Sequence, residues 1–196
     1  DDIITSTGDF TKVADQLAFA NFVATQTDTV DVLINNAGTM FGRFPADTLT
    51  DEQYGDIVEL NQHAVVRITR ALLPQLKAAS NAAIVNTVSI SASTGGSPGS
   101  SIYSATKAFV STYSRGLARE LAPAGIRVNA VSPGVINTDF HARYSSEEKL
   151  EATRKQIPLQ RLGTAQDCAP TFLFLAASEL SGYITGQVIE INGGQR

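Results

Sequence analysis

Short apolar runs alternate with long amphipathic segments along this chain, and this pattern limits its possible folds more than any other feature. Four of the runs have the length of buried strands and cover residues 30–35, 82–89, 126–132 and 187–192. An unbroken apolar run is typical of a strand covered on both faces, because a half-exposed strand alternates polar and apolar residues. The pattern therefore predicts an α/β protein with a parallel sheet and helices on both of its faces.

Helical periodicity fills the intervals between these strands. It covers residues 11–26, 50–79, 101–121 and 165–177. The second helix opens with TDEQ, a capping-box pattern in which Thr50 is the N-cap and Gln53 its reciprocal partner. A further short strand is predicted at residues 3–7. Because no linker or internal repeat interrupts the chain, residues 1–196 are expected to form a single domain, with ligand-binding loops in the polar stretch 137–163.

The composition narrows the classes of function. The net charge is −4 and no basic cluster is present, which argues against a nucleic-acid partner or binding to an anionic membrane. No apolar run reaches the length of a membrane span. The single cysteine, Cys168, cannot form an internal disulfide and favours a reducing compartment, so we expect a cytoplasmic protein. His63 and His141 lie in no metal-ligand pattern, so we expect no metal and a solvated loop histidine at position 141.

A phenol and an ammonium group lie four residues apart in SIYSATKAFV, residues 101–110. On a helix this spacing places Tyr103 and Lys107 on one face, about one turn apart. By itself the pair is also consistent with an aromatic core residue beside a solvated lysine.

Polar motifs stand where the predicted strands end. They are NNAG at residues 35–38, IVNTVSIS at 84–91 and SPGVINT at 132–138. The second motif places Ser89 and Ser91 just beyond a buried strand, and the third offers the hydroxyl of Thr138. Asn61 lies among apolar residues inside a predicted helix, where its amide needs a hydrogen-bond partner. Each motif taken alone is compatible with an ordinary turn or surface position.

In this order and spacing the motifs resemble those of the short-chain dehydrogenase/reductase family, and the resemblance covers essentially the whole chain. The C-terminal part is most similar to the 3-oxoacyl-carrier-protein-reductase-like branch and to sugar or polyol dehydrogenases. The resemblance implies a Rossmann-like doubly wound sheet and an NAD(P)(H)-dependent oxidoreductase that interconverts a secondary alcohol and a ketone. A non-catalytic scaffold or cofactor-sensing protein of the same fold is the alternative, although such proteins tend to lose the tyrosine or the lysine.

The resemblance also implies roles for individual residues. Tyr103 would be the general acid/base, with a pKa lowered by Lys107 and by the oxidised nicotinamide. Ser89 would hydrogen-bond the substrate oxygen, and Asn61 would hold a water that links Lys107 to solvent. The implied cofactor is NAD or NADP, and the residues expected to bind it are Asp9, Asn35, Ala37, Gly38, Tyr103, Lys107, Pro133, Gly134, Val135, Ile136 and Thr138.

Two features depart from the family pattern. The usual spacing from serine to tyrosine falls on Ile90, so the catalytic serine is either Ser89, which counting from IVN favours, or Ser91. No glycine-rich turn precedes Asp9, so the N-terminal strands 1 and 2 are expected to be missing, and residues 30–35 would form an apolar sheet edge. The choice between NAD and NADP, usually made at the end of strand 2, stays open. The expected partners are a small carbonyl or alcohol substrate and further copies of the chain in a homodimer or homotetramer.

Overall fold

The protein is built around a parallel sheet of four strands in a computed structural model that describes residues 3–195. The strands are β1 (Val32–Asn35), β2 (Ala83–Thr87), β3 (Arg127–Pro133) and β4 (Val188–Ile191), and they lie side by side in chain order. All three pairings are parallel. Parallel neighbours need a crossover connection, and each crossover here contains at least one helix.

Helices connect and cover the strands. They are α1 (Val13–Gln26), α2 (Asp51–Val58), α3 (Ala64–Ala78), α4 (Ser91–Thr94), α5 (Ser101–Leu121), α6 (Asp139–Tyr144), α7 (Glu147–Gln156), α8 (Ala165–Ala176) and α9 (Ser178–Ser181), with a π-helical turn at Glu59–His63 and a 3₁₀ turn at Ala122–Ala124. The capping box of Thr50 and Gln53 is present, which confirms the start predicted for the second long helix.

Both faces of the sheet are buried, as the unbroken apolar runs indicate. One face presents Leu33, Ile84 and Val128 to a core that includes side chains of α1, α3 and α5. The other face presents Val85 and Val131 to α8. The predicted Rossmann-like architecture with helices on both faces is therefore confirmed.

The strand predicted at residues 3–7 is wrong. These residues form no regular structure, and the side chains of Ile3 and Ile4 are 89% and 61% exposed. A strand requires a neighbour for its backbone hydrogen bonds, and no strand of the described chain lies beside this segment. The same topology makes β1 a sheet edge, and its Val32 and Ile34 are 39% and 45% exposed, which confirms the predicted apolar edge.

The long helix predicted at residues 50–79 is interrupted near its middle. Between α2 and α3 the chain widens into the π-helical turn at Glu59–His63, which contains Asn61. A π-helical turn inserts one extra residue into a helix and often marks a functional position. The polar stretch 137–163 contains the two short helices α6 and α7, and no helix in the described part of the chain is long and apolar enough to cross a membrane.

Candidate active site

A cavity of about 940 Å³ opens at the carboxyl ends of β1, β2 and β3. Its walls come from the loops that follow these strands, from one face of α5, and from α6, α7 and α8. Parallel strands present their carboxyl ends at one edge of a sheet, so loops that are distant in sequence meet there. The polar motifs of the sequence therefore converge on a single concave site.

Tyr103 and Lys107 lie in this cavity on adjacent turns of α5. The Lys107 side chain is only 3% exposed, and its Nζ donates a hydrogen bond of 2.9 Å to the carbonyl oxygen of Thr87 at the end of β2. The same Nζ lies 5.7 Å from the centre of the Tyr103 ring. The lysine is therefore a buried residue of the site, rather than a solvated neighbour of a core tyrosine.

The pKa values of the pair are both displaced by burial. Burial raises the pKa of Tyr103 to about 12, although a hydrogen bond with the Ser89 hydroxyl acts in the opposite direction. Burial lowers the pKa of Lys107 to about 8. The sequence predicts a lowered pKa for Tyr103, whereas the pKa in the protein without cofactor is raised. The reason is that desolvation of the phenolate outweighs the contact with Ser89.

Asn61 is fully buried behind the lysine. Its Nδ2 donates to the carbonyl oxygens of Thr39 (2.7 Å) and Ile57 (2.9 Å), whereas its Oδ1 has no hydrogen-bond partner in the described structure. A Cβ atom at Gly38 would lie 2.8 Å from this Oδ1 and 3.0 Å from Nζ of Lys107. Glycine at this position therefore leaves room beside both polar groups.

Ser89 and Ser91 both line the cavity. The Ser89 Oγ accepts hydrogen bonds from the backbone nitrogen of Ser91 (3.2 Å) and from its Oγ (3.1 Å). Ser91 is the first residue of α4 and is almost completely buried, at 9% exposed. Of the two hydroxyls, only that of Ser89 contributes to the pKa of Tyr103, and it lowers that pKa.

The residues predicted to bind a cofactor divide into two groups. Those that line the cavity are Gly38, Tyr103, Lys107, Pro133, Gly134, Val135, Ile136 and Thr138. Asp9, Asn35 and Ala37 do not line it. The Asn35 amide instead donates to Thr69 and to Asn86, between the sheet and the helices behind it. The exposed Asp9 carboxylate accepts from the backbone and side chain of Thr11 at the start of α1.

Asn36 and Phe140 also belong to the cavity wall, and neither was among the predicted site residues. The Asn36 Oδ1 accepts a hydrogen bond of 2.9 Å from Thr87 Oγ1, which ties the ends of β1 and β2 together. The Phe140 ring lies 5.8 Å from the ring of Tyr103. Asn36 belongs to the NNAG motif and could have been selected from it, whereas nothing in the sequence predicts where Phe140 lies.

The α6–α7 segment (residues 139–156) forms a separate wall of the cavity. Its contacts with the β1–α2 loop are few. The Tyr144 hydroxyl lies 2.9 Å from Thr39 Oγ1, and Arg43 Nε donates to the Tyr144 carbonyl oxygen at 3.0 Å. The solvated position expected for His141 is wrong, because the folding of α6 over the cavity makes this residue part of the wall and half-buried.

A metal site is not found in residues 3–195, where no group of three or more His, Cys, Asp or Glu side chains is placed to hold an ion. The groups around the cavity are a half-buried phenol, a buried amine and several hydroxyls. Such a set is suited to moving a proton to or from an oxygen atom.

Comparison with known proteins agrees with this geometry. The family model described as enoyl-(acyl carrier protein) reductase matches residues 2–196, nearly the entire sequence. The chain belongs to the short-chain dehydrogenase/reductase family. An uncharacterized short-chain type dehydrogenase/reductase of Sinorhizobium fredii is 41% identical over 167 residues, which are 84% of this chain and 64% of the relative.

Two further proteins of the family carry more specific names. The 3-oxoacyl-acyl-carrier-protein reductase FabG of Staphylococcus epidermidis is 40% identical over 172 residues, 88% of this chain and 69% of the relative. The crystal structure of 3-ketoacyl-(acyl-carrier-protein) reductase from Brucella melitensis complexed with NADH superposes with a TM-score of 0.84 at 32% identity, covering 95% of this chain and 75% of that one. The chain thus spans about two thirds of the length of the curated relatives it matches.

Proposed function

We propose that the protein is an NAD(P)(H)-dependent oxidoreductase that interconverts a secondary alcohol and a ketone, with Tyr103 as general acid/base. The observation that carries the proposal is the position of the half-buried Tyr103 and the buried Lys107 on adjacent turns of α5, facing a cavity that also holds Ser89. A tyrosine and a lysine with purely structural roles would not need a hydroxyl group beside them in one cavity. A proton-transfer site requires such a set.

The roles of the side chains follow from their positions. Tyr103 gives a proton to the carbonyl oxygen during reduction and takes it back during oxidation. Ser89 donates a hydrogen bond to the same oxygen and stabilises the charge that develops there. Lys107 is held against Thr87 at 2.9 Å, where its charge favours the phenolate form of Tyr103 once the tyrosine has lost its proton. Ser91 is the alternative to Ser89, since both hydroxyls line the cavity.

Asn61 supports the supply of protons to the lysine. Its buried Oδ1 lacks a partner in the described chain and adjoins the same side of Gly38 as Nζ of Lys107. A water that accepts from Lys107 and donates to this oxygen would satisfy both groups. We therefore assign Asn61 to the relay that connects the lysine with solvent.

The cavity wall also offers residues that could hold the nicotinamide end of the cofactor. Gly38 presents bare backbone beside Lys107, and the turn after β3 places Pro133, Gly134, Val135 and Ile136 in the wall. The bound cofactor would supply or accept the hydride, and Lys107 would hold its ribose. The choice between NAD and NADP stays open, as does the identity of the carbonyl compound.

Assembly into a homodimer or homotetramer is part of the proposal. Its support is the exposure of large apolar side chains on surfaces outside the cavity. Phe109 on α5 is 37% exposed and stacks on Tyr113 at 5.7 Å, while Leu180 and Tyr183 are exposed before β4. Size-exclusion chromatography with light scattering measures the mass directly, and a monomer at micromolar concentration would reject this part.

The substitution Tyr103→Phe tests the catalytic proposal. It removes one hydroxyl from a position in the cavity wall and leaves the ring that packs near Phe140. We expect kcat for ketone reduction to fall about 10²- to 10⁴-fold. The affinity for the cofactor, measured by nicotinamide fluorescence, should change little.

The matched control is Tyr113→Phe on the same helix, outside the cavity, which should retain wild-type turnover. Turnover of the Tyr103→Phe variant at the wild-type rate would reject the role of Tyr103. Absence of turnover in the wild type, with any ketone tested, would favour the scaffold alternative.

A further inference from the structure

The cavity is unusually rich in positive charge. None of its lining residues in the described chain is an aspartate or a glutamate. Besides Lys107, three basic side chains reach it, and we call Arg43, His141 and Lys149 the basic cluster. All three are half-buried. A concave site lined by charges of one sign attracts the opposite charge.

The basic cluster is not neutralised by the protein. The salt bridges found within residues 3–195 include neither Arg43 nor Lys149. Burial lowers the pKa of His141, and the nearby charges of Arg43 and Lys149 lower it further. Burial and the charge of Arg43 lower the pKa of Lys149 in the same way. Arg43 and Lys149 therefore carry like charges in half-buried positions, an arrangement that favours the binding of an anion.

The hydrogen bonds of Arg43 leave part of its guanidinium available. Its Nε donates to the Tyr144 carbonyl oxygen at 3.0 Å, and its Nη1 makes a long contact of 3.4 Å with the Pro98 carbonyl oxygen. These acceptors fix the plane of the group and leave Nη2 without a partner in the described part of the chain. A guanidinium oriented in this way is suited to bind a carboxylate or a phosphate.

The basic cluster lies on the side of the cavity where the carbonyl compound is expected. The ring of Phe140 is 5.8 Å from that of Tyr103 and 5.2 Å from that of His141, so it bridges the phenol and the cluster. The residues proposed to hold the cofactor are Gly38, Lys107 and residues 133–136, and none of them belongs to the basic cluster. An anion bound by the cluster would therefore belong to the molecule whose carbonyl group faces Tyr103.

We propose that the substrate is an anionic carbonyl compound, an oxo acid or an oxo phosphate ester, whose negative group binds Arg43 and Lys149 while its carbonyl oxygen faces Tyr103. This inference rests on the proposed function, because it names the substrate class of the same site. His141 contributes a neutral hydrogen-bonding group that takes up a proton when the anion binds.

Matched pairs of ketones test the inference in the full-length protein with its cofactor. One pair is 4-oxopentanoate and its methyl ester, and the other is dihydroxyacetone phosphate and dihydroxyacetone. We expect the charged member of at least one pair to have a kcat/KM about tenfold higher, or more, because its anionic group adds charge-assisted hydrogen bonds. The pair that shows the preference distinguishes a carboxylate from a phosphate. Equal kcat/KM values within both pairs would overturn the inference and leave the proposed function intact.

Lys149→Gln is the decisive variant, since Arg43 also holds Tyr144 and its loss would disturb the loop. The substitution should raise KM for the charged ketone about tenfold more than it raises KM for the neutral one. Lys149→Arg should restore most of the difference. Lys155→Gln is the control, because Lys155 lies on the same helix, is 67% exposed and does not line the cavity. A rise in the KM of the cofactor alone would assign the cluster to cofactor phosphates and overturn the inference.

Nuclear magnetic resonance gives a readout that does not require turnover. The chain has two histidines, so the ring signals of His141 and His63 can be resolved. Addition of 4-oxopentanoate or dihydroxyacetone phosphate should raise the pKa of His141, the corresponding neutral ketone should not, and His63 should respond to neither. If no ketone were reduced, the proposed function would fail, and this titration would still decide whether the cluster binds an anion. An unchanged His141 pKa with both anions would overturn the inference.

Discussion

Helix α5 and the α6–α7 segment form two walls of one cavity, and they are built in contrasting ways. Helix α5 has 21 residues, and eight of them are buried, including Lys107. Neither α6 nor α7 contains a buried residue. The first wall is held by the core, whereas the second is held by a few hydrogen bonds to the β1–α2 loop.

The difference in packing suits the two walls to different tasks, proton transfer and substrate recognition. Proton transfer requires distances fixed within a fraction of an ångström, and a helix packed on a sheet provides that precision. Recognition of one substrate among many requires a wall whose side chains can vary without disturbing the core. Substitutions in α5 should therefore change kcat and stability, and substitutions in the α6–α7 segment should change KM.

Lys107→Met should produce the largest loss of those predicted for this comparison. It removes the charge that favours the phenolate of Tyr103 and the group that contacts Thr87. We expect kcat to fall about 10²- to 10³-fold, measured as ketone-dependent oxidation of the reduced cofactor. The exposed Lys77→Met is the control. A loss seen only in KM would contradict the placement of chemistry on this wall.

Ser89→Ala and Ser91→Ala decide between the two hydroxyls. Removal of one donor to the substrate oxygen should lower kcat about 10²-fold, and we expect this of Ser89→Ala. Ser91→Ala should lower kcat only a few-fold, because Ser91 acts by donating to Ser89 Oγ at 3.1 Å. The reverse order in steady-state kinetics would transfer the role to Ser91.

The pH dependence of stability should reveal the buried lysine. The pKa of Lys107 is about 8 in the folded protein, below its ordinary value of 10.5. Between these two values the unfolded chain binds the proton and the folded chain does not, so stability rises with pH. The raised pKa of Tyr103, about 12, has the opposite effect and makes stability fall with pH. This effect begins only above the ordinary tyrosine pKa of 10, so it does not act between pH 8 and pH 10.

The thermal midpoint measured without cofactor gives the test. The difference in midpoint between the wild type and Lys107→Met should increase by a few degrees from pH 8 to pH 10. The difference between the wild type and Lys77→Met should stay constant. If the difference between the wild type and Lys107→Met also stayed constant with pH, the Lys107 amine of the wild type would not be desolvated.

Tyr144→Phe, in the α6–α7 wall, should have the smallest effect. It removes the contact between the Tyr144 hydroxyl and Thr39 Oγ1 at 2.9 Å. The loss of one such hydrogen bond should raise the substrate KM about two- to fivefold and leave kcat unchanged. Tyr54→Phe on α2, where the side chain is largely exposed, is the control. A fall in kcat that equals the rise in KM would mean that both walls serve the chemical step.

The part of the site that the sequence predicts is the part built from regular elements. The spacing of Tyr103 and Lys107 places them on one face of α5 whatever surrounds the helix. The ends of the buried strands likewise predict that Gly38, Ser89 and Pro133 approach one another. These inferences need only the period of a helix and the direction of parallel strands.

The rest depends on contacts between residues that are distant in sequence. The reversed pKa of Tyr103 comes from burial, which no local pattern measures. The π-helical turn around Asn61 follows from packing and hydrogen bonds to Thr39 and Ile57, and not from helix propensity. Residues 3–7 have the composition of a strand, but a strand forms only where another strand pairs with it.

A titration with NADH and, separately, with NADPH shows whether the cavity binds a nicotinamide cofactor that can react, with nicotinamide fluorescence as the signal. The chain contains no tryptophan, so its own emission interferes little. We expect saturable binding of at least one cofactor at one site per chain, followed by loss of the signal when a suitable ketone is added. Binding of neither cofactor to the full-length protein, or a bound signal that no ketone removes, would contradict the proposed function.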